Sequence, residues 1–302
     1  MQNVLTLIAP AGQLPAPLAA RVRSALMALG ADIGTPDWLS EAEALDLPFD
    51  GLAPEQAVAA ARGALDGALA DAIAQPAAGR RKRLLIADMD STIVQSETLD
   101  ELSAYAGVKE RVAEITRRSM NGEIDFAAAL RQRVAMLKGL DLSALEATWR
   151  QTHPMPGAAE LVGTMVAHGA HCALASGGFT WFTGRVAAQL GFTSHHANIL
   201  LDDGQALTGG VEEPVFDRES KLATLKRLAA DLGLPLSDTL AVGDGANDLA
   251  MLGAAGLGIA FRAKPVVAAA ARARVDHADL RALLFVQGYR AAEFVTAGSG
   301  QR

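Results

Sequence analysis

Short apolar runs, each ending in a polar residue, recur through the last two thirds of the chain. They are RLLIAD (83–88), HCALAS (171–176) and TLAVGD (239–244). Helical periodicity fills the intervals at 157–168, 179–190 and 220–232. Alternation of this kind predicts an α/β fold, a doubly wound parallel sheet with helices on both faces. Ligands of such sheets sit beyond the carboxyl ends of the strands. Asp88, Ser176 and Asp244, each at or just past a strand end, are therefore expected to converge on one crevice.

Two segments break the alternation. Between Thr98 and His153 only helical patterns occur, in LDELSAYAG, VKERVAEITRRSM, DFAAALRQRVAML and LSALEATWRQ. A helical insertion directly after the first strand's loop predicts a cap over the crevice, at about 98–153. Residues 198–211 read as a hairpin with Asp203-Gly204 at its turn.

The first 80 residues follow another pattern. A strand is expected at NVLTLIA, then a helix ending at Gly30. DWLSEAEALDLPFDG is compatible with one or two short strands. APEQAVAAARGALDGALADAIA reads as one Ala-rich helix opened by Pro54, and QPAAGRRKR as a solvated linker. The boundaries expected from these shifts are 1–78 for a small N-terminal α/β domain and 83–295 for the larger one.

Composition narrows the function classes. The chain has 302 residues and a formal charge of −7, which argues against nucleic-acid binding. No apolar run reaches membrane-spanning length. The N-terminus lacks a basic region followed by a long apolar stretch, so the cytoplasm is the default location. The single cysteine, Cys172, begins an apolar run and reads as a buried core thiol.

The candidate chemistry lies at the strand ends. Asp88 and Asp90 in DMDST, with Asp244 and Asp248 in VGDGAND, supply four carboxylates to one crevice. Such a set suits a hard divalent cation, and magnesium favours few carboxylates plus a substrate phosphate. In LASGGF, Gly177 and Gly178 are expected to leave open amides at a helix start, an anion site beside Ser176. Neither nucleotide-binding glycine motif is present. Lys221 begins a helix in the same unit, where it can face a phosphate.

Asp88-Met-Asp90-Ser-Thr, Ser176-Gly-Gly, Lys221 and Gly243-Asp244-Gly-Ala-Asn247-Asp248 together resemble the four ordered motifs of the haloacid-dehalogenase-like phosphatases. Glu97, the run RRSMNGEIDFAAALRQRVAML and GDGANDLAML narrow the resemblance to members that hydrolyse O-phosphoserine. It covers roughly residues 83 to 290. The resemblance implies a Rossmann-like core, Mg2+ as cofactor, Asp88 as nucleophile and Asp90 as proton donor and acceptor. It places magnesium on the Asp88 side chain, the Asp90 carbonyl and Asp244, with Asp248 and Asn247 supporting metal and phosphate. Ser176, the Gly177 amide and Lys221 would hold the phosphoryl oxygens. Glu97 would meet the substrate ammonium and Arg133 its carboxylate, while Met120 and Phe126 close the pocket. The first 80 residues resemble the ACT-like region of some bacterial members, with a homodimer as a compatible assembly. Two rivals remain open at this point: phosphoryl transfer to another alcohol such as homoserine, and a non-catalytic amino-acid-binding regulator.

Overall fold

The computed structural model describes residues 1–120 and 123–296; the Met120 side chain lies outside the described residues. The chain opens with β1 (Asn3–Ile8), α1 (Ala16–Ala28), β2 (Asp32–Ile33), β3 (Asp37–Ser40), β4 (Ala44–Asp50), α2 (Pro54–Leu65) and β5 (Asp71–Pro76). These strands form an antiparallel sheet in the order β2-β4-β1-β5, with β3 also paired to β4. Successive strand side chains point to opposite faces. Leu5 and Leu7 of β1 accordingly pack with Val22 of α1 and Ala61 of α2. Ile8 joins Leu39, Ala44 and Ile73 on the other face, in the core cluster of the larger unit.

That larger unit begins with β6 (Leu84–Ala87). Four helices follow: α3 (Thr98–Tyr105), α4 (Lys109–Met120), α5 (Phe126–Ala135) and α6 (Ser143–Gln151). The chain then returns through α7 (Ala158–Ala167), β7 (His171–Phe179), α8 (Thr180–Leu190) and β8 (Ser194–Asn198) to a hairpin of β9 (Leu200–Asp202) and β10 (Leu207–Val211). It closes with α9 (Arg218–Asp231), β11 (Thr239–Gly243), α10 (Leu249–Ala254), β12 (Leu257–Phe261), α11 (Pro265–Ala270), β13 (Ala273–Val275) and α12 (Ala282–Val286). The sheet order is β13-β12-β11-β6-β7-β8, and every pairing is parallel. The expected parallel α/β sheet with an inserted run of helices is therefore present. Strands β8, β12 and β13 are additional to the runs legible in the sequence.

The Ala-rich segment departs from expectation. Its helix stops at Leu65, because Asp66 and Gly67 adopt left-handed backbone (φ 49° and 77°). Residues 71–76 instead form β5, whose backbone is satisfied by pairing with β1. Tertiary pairing overrides the weak helix preference of alanine here.

The basic cluster is solvated only in part: Arg81 and Arg83 are exposed, whereas Arg80 and Lys82 turn inward. Arg80 makes a bidentate pair with Asp46, at 2.6 and 3.1 Å, and donates to the carbonyls of Phe285 and Val286 at 3.0 Å. Lys82 is buried, donating to the Gly79 and Ser237 carbonyls at 2.8 Å, and burial lowers its pKa. Asp71 accepts from the backbone N–H groups of Asp276, His277 and Ala278. The seam between the two units thus combines these hydrogen bonds with the apolar contacts of Ile8, Leu39, Ala44 and Ile73. Cys172 is fully buried, and burial pushes its thiol up to about 12.

The strand through the Ser176 motif also runs further than expected. β7 continues across Gly177 and Gly178 to Phe179, and α8 starts only at Thr180. The hairpin turn falls at Asp203-Gly204, where Asp203 Oδ1 accepts from the Gln205 and Ala206 N–H groups. The hairpin also holds the inserted helices, since Gly139 N donates to Leu207 O and Leu142 N to Gln205 O.

Candidate active site

β6 and β11 lie side by side in the sheet, so their carboxyl ends place Asp88 and Asp244 together. Asp88 N donates to Val242 O at 3.0 Å, extending the ladder by one bond. A cavity of about 680 Å³ opens above these ends, beneath the inserted helices. Asp88, Asp90, Ser176, Gly177, Asp244 and Asn247 line its floor. Glu97, Phe126 and Arg133 line it from the inserted segment. Lys221 and Asp248 are fully buried behind the floor. All the sequence-selected residues with described side chains thus gather at one place; the Met120 side chain lies outside the described residues.

Lys221 Nζ lies 2.8 Å from Asp88 Oδ1 and 2.7 Å from Asp248 Oδ1. A lysine on a helix is ordinarily solvated; this one is held inside by two carboxylates. Burial lowers its pKa, but Asp248 and Asp88 outweigh that, and it is held above the ordinary lysine value. Asp88 is pushed well above the ordinary carboxyl range by burial and by the charge of Asp248, against the opposing pull of Lys221. Asp244 is pushed up to about 6 by burial and by Asp248.

One carboxylate oxygen from each of Asp88, Asp244 and Asp248 lies within 4.8 Å of the others. Three carboxylates with one ammonium carry excess negative charge, which adds to burial in raising Asp88 and Asp244. Asp248 is already committed, with Oδ1 to Lys221 and Oδ2 to the Gly245 N–H at 3.0 Å. Asp88 Oδ1 takes Lys221 and the Met89 N–H, and Asp244 Oδ1 takes the Thr92 hydroxyl at 2.9 Å. The Oδ2 atoms of Asp88 and Asp244 have no donor among the described residues. An all-oxygen, anionic, partly unsatisfied set of this kind fits a hard divalent cation.

Asp90 differs from its neighbours. Its carboxylate accepts from Thr98 N at 3.2 Å and from Thr98 Oγ1 at 3.3 Å. Burial and the charge of Glu97 push it up to about 7, against those two hydrogen bonds. Such a group is poised to give or take a proton near neutrality. Glu97 is exposed to the cavity and accepts from Ser91 Oγ at 2.7 Å.

The glycines at the end of β7 serve close approach. A Cβ at Gly178 would stand 3.1 Å from Asp90 Oδ2, and one at Gly177 would stand 3.0 Å from Phe126 Cζ. The Gly178 amide is not open to an anion as expected, because it donates to Ser176 Oγ at 2.9 Å. Asn247 and Asp248 do not cap α10 with their side chains; a 3₁₀ turn over Ala246–Asp248 precedes it and turns the Asp248 carboxylate inward.

Several contributors escaped sequence reasoning. Thr92 ends the DMDST motif and Thr98 follows Glu97, but neither carries a charge to mark it. Asn198, fully buried, bonds the Gly177 carbonyl and both backbone groups of Phe216, tying β7 to the segment that leads into α9. Arg218 and Lys264 add positive charge to the cavity lining; no sequence signal marked them.

A doubly wound sheet with an inserted helical segment and this carboxylate–lysine cluster at its carboxyl edge define a hydrolase class. The chain belongs to the haloacid dehalogenase-like hydrolase family, whose profile matches residues 85–253. Within that family the similarity is to phosphoserine phosphatases. The chain is 46% identical over 199 residues to the phosphoserine phosphatase of Streptococcus thermophilus, a match covering 66% of this chain and 93% of that one. It is 44% identical over 229 residues to the phosphoserine phosphatase of Streptomyces coelicolor, covering 74% of this chain but only 56% of that longer protein. The chain therefore spans little more than half the length of this longer relative. The unliganded crystal structure of a probable phosphoserine phosphatase from Vibrio cholerae superposes with a TM-score of 0.78 at 32% identity, covering 97% of this chain and 88% of that one. Among the described residues, no helix is long and apolar enough to cross a membrane.

Proposed function

We propose that this chain is a magnesium-dependent phosphoserine phosphatase, releasing serine and phosphate through an aspartyl-phosphate. The observation that carries the reading is one cavity with two kinds of lining. Asp88, backed by Lys221, lies at its floor, and a carboxylate (Glu97) and a guanidinium (Arg133) face it from above. The first pair suits phosphoryl chemistry; the second complements an ammonium and a carboxylate on one small substrate. The similarity to phosphoserine phosphatases supports the same substrate.

Asp88 attacks phosphorus, and the seryl oxygen leaves with a proton from Asp90. Asp90 then takes a proton from the water that opens the aspartyl-phosphate. Splitting the reaction this way makes each half easier than direct hydrolysis. Ser176, the Gly177 amide and Lys221 hold the phosphoryl oxygens, so their charge and placement stabilise the transition state. The side chains of Asp88 and Asp244 and the Asp90 carbonyl would hold magnesium, whose charge would neutralise the phosphate there. Asp248 keeps Lys221 and the Gly245 loop in place from behind, and Asn247 borders the phosphate. Phe126 lines the cavity and excludes water from it; the Met120 side chain lies outside the described residues. For residues 1–78 we read an ACT-like fold, supported by an antiparallel sheet with two helices on one face.

Phosphate release from O-phosphoserine, phosphothreonine and sugar phosphates, with and without Mg2+, tests this reading. Metal-dependent preference for phosphoserine is expected. Phosphoryl transfer to added homoserine in place of free phosphate would overturn the hydrolase assignment.

A further inference from the structure

Arg133 lies within the electrostatic reach of two carboxylates and pairs with neither. Burial lowers its pKa, while the charges of Asp100 and Glu97 act in the opposite sense. Yet among the described residues no carboxylate comes within ion-pair distance of its guanidinium. Its recorded partners are neutral: Nε donates to Ala129 O at 3.3 Å, and Nη1 donates to Thr116 Oγ1 at 3.3 Å. Nη2 has no acceptor among the described residues, and Arg133 lines the cavity.

Thr116 is itself fixed. It stands on α4, which packs against α5, and its Oγ1 donates to Val112 O at 3.1 Å. With its proton directed at that carbonyl, the hydroxyl presents a lone pair to Arg133. The guanidinium is thereby held at two corners, Nε and Nη1, by groups that do not neutralise it. A carboxylate in the place of Thr116 would bind Arg133 more strongly and remove it from service.

We infer that Thr116 is a positioning residue for substrate specificity: its hydroxyl orients Arg133 so that the guanidinium stays free for a carboxylate on the ligand. The inference rests on the reading of Arg133 as the group that meets the substrate carboxylate. It adds a discriminating element from α4, on the opposite wall of the cavity from the phosphoryl chemistry.

The test compares O-phosphoserine with phosphoethanolamine, which keeps the phosphate and the ammonium but lacks the carboxylate. Thr116→Val preserves shape and removes the acceptor; Thr116→Ser keeps it. For Thr116→Val, KM for phosphoserine is expected to rise about tenfold, with kcat little changed and phosphoethanolamine kinetics unaffected. Thr116→Ser should restore the phosphoserine KM. Equal losses on both substrates, or a serine variant as impaired as the valine one, would overturn the inference. A wild-type enzyme with no preference for phosphoserine over phosphoethanolamine would remove the role of Arg133 and this inference with it. A wild-type preference left undiminished by Thr116→Val would overturn the inference alone. Phosphoethanolamine turnover reports whether the valine variant is folded; if it is not, Thr116→Ala carries the same comparison.

Discussion

Lys221 Nζ lies 2.8 Å from Asp88 Oδ1, with both side chains shielded from water. This contact gives the two residues opposite expectations. Lys221→Ala leaves Asp88 and Asp248 buried without their cation, and removing one partner of a buried pair typically costs about 3–5 kcal/mol. Asp88→Asn removes a charge from a cluster that already has too many. It should unfold at or above the wild-type temperature in metal-free buffer while turnover falls by about 10³-fold or more. Calorimetry with a phosphate-release assay reads both. Substantial activity in Asp88→Asn would remove Asp88 as the nucleophile.

The raised carboxyl groups make metal-free stability depend on pH in a definite direction. Folded Asp90 and Asp244 titrate at about 7 and about 6, against roughly 4 in an unfolded chain. Between those values the folded protein holds protons that the unfolded chain has released, so stability falls as pH rises through that window. Chelator-treated protein should therefore melt at a lower temperature at pH 8 than at pH 5. Added Mg2+ should stabilise it more at pH 8, where Asp244 has released its proton. A magnesium effect independent of pH would argue against these carboxylates as its site.

The proposed role of Asp90 as proton donor predicts an alkaline limb on activity. Proton donation to the leaving oxygen needs Asp90 protonated, and its pKa is about 7. kcat/KM should decline as pH rises past that value, provided proton donation limits the rate. Asp90→Asn should lose the limb together with most of the activity. Retention of the limb in the residual activity of that variant would assign it to another group.

Glu97 and Arg133 should separate recognition from chemistry. Arg133→Ala is expected to reduce kcat/KM for phosphoserine by about tenfold to a hundredfold, the worth of a charged hydrogen bond. An aryl phosphate, which carries no carboxylate, should be affected far less. Equal losses on the two substrates would leave Arg133 as a structural residue of the inserted helices.

Arg80 makes the two units depend on each other. Its guanidinium joins Asp46 of the N-terminal sheet to the Phe285 and Val286 carbonyls, with Gly288 pressed against it. Arg80→Ala leaves the buried Asp46 with the Thr6 hydroxyl but no cation and should cost about 3–5 kcal/mol. Because Ile8, Leu39, Ala44 and Ile73 share the larger unit's core cluster, thermal unfolding should remain one transition in the wild type. A separate early transition for residues 1–78 would show the seam to be dispensable.

The amino-acid sequence determined the parallel sheet, the inserted helices and the acids at the strand ends. Those features rest on local patterns: apolar runs ending in Asp88, Ser176 and Asp244, and a helical period over 98–153. It did not reveal β5, because alanines in 71–76 carry no strand signal until β1 offers them a partner. It concealed the seam as well, since Arg80 and Lys82 look solvated until Asp46 and the carbonyls around residue 286 are brought against them. Tertiary structure alone decided which acids are buried together, that Lys221 is fully buried, and that Thr98, Thr116 and Asn198 bond Asp90, Arg133 and the Gly177 carbonyl. The reason is physical: pKa and hydrogen-bond partnership depend on burial and on neighbours distant along the chain, and local periodicity records neither.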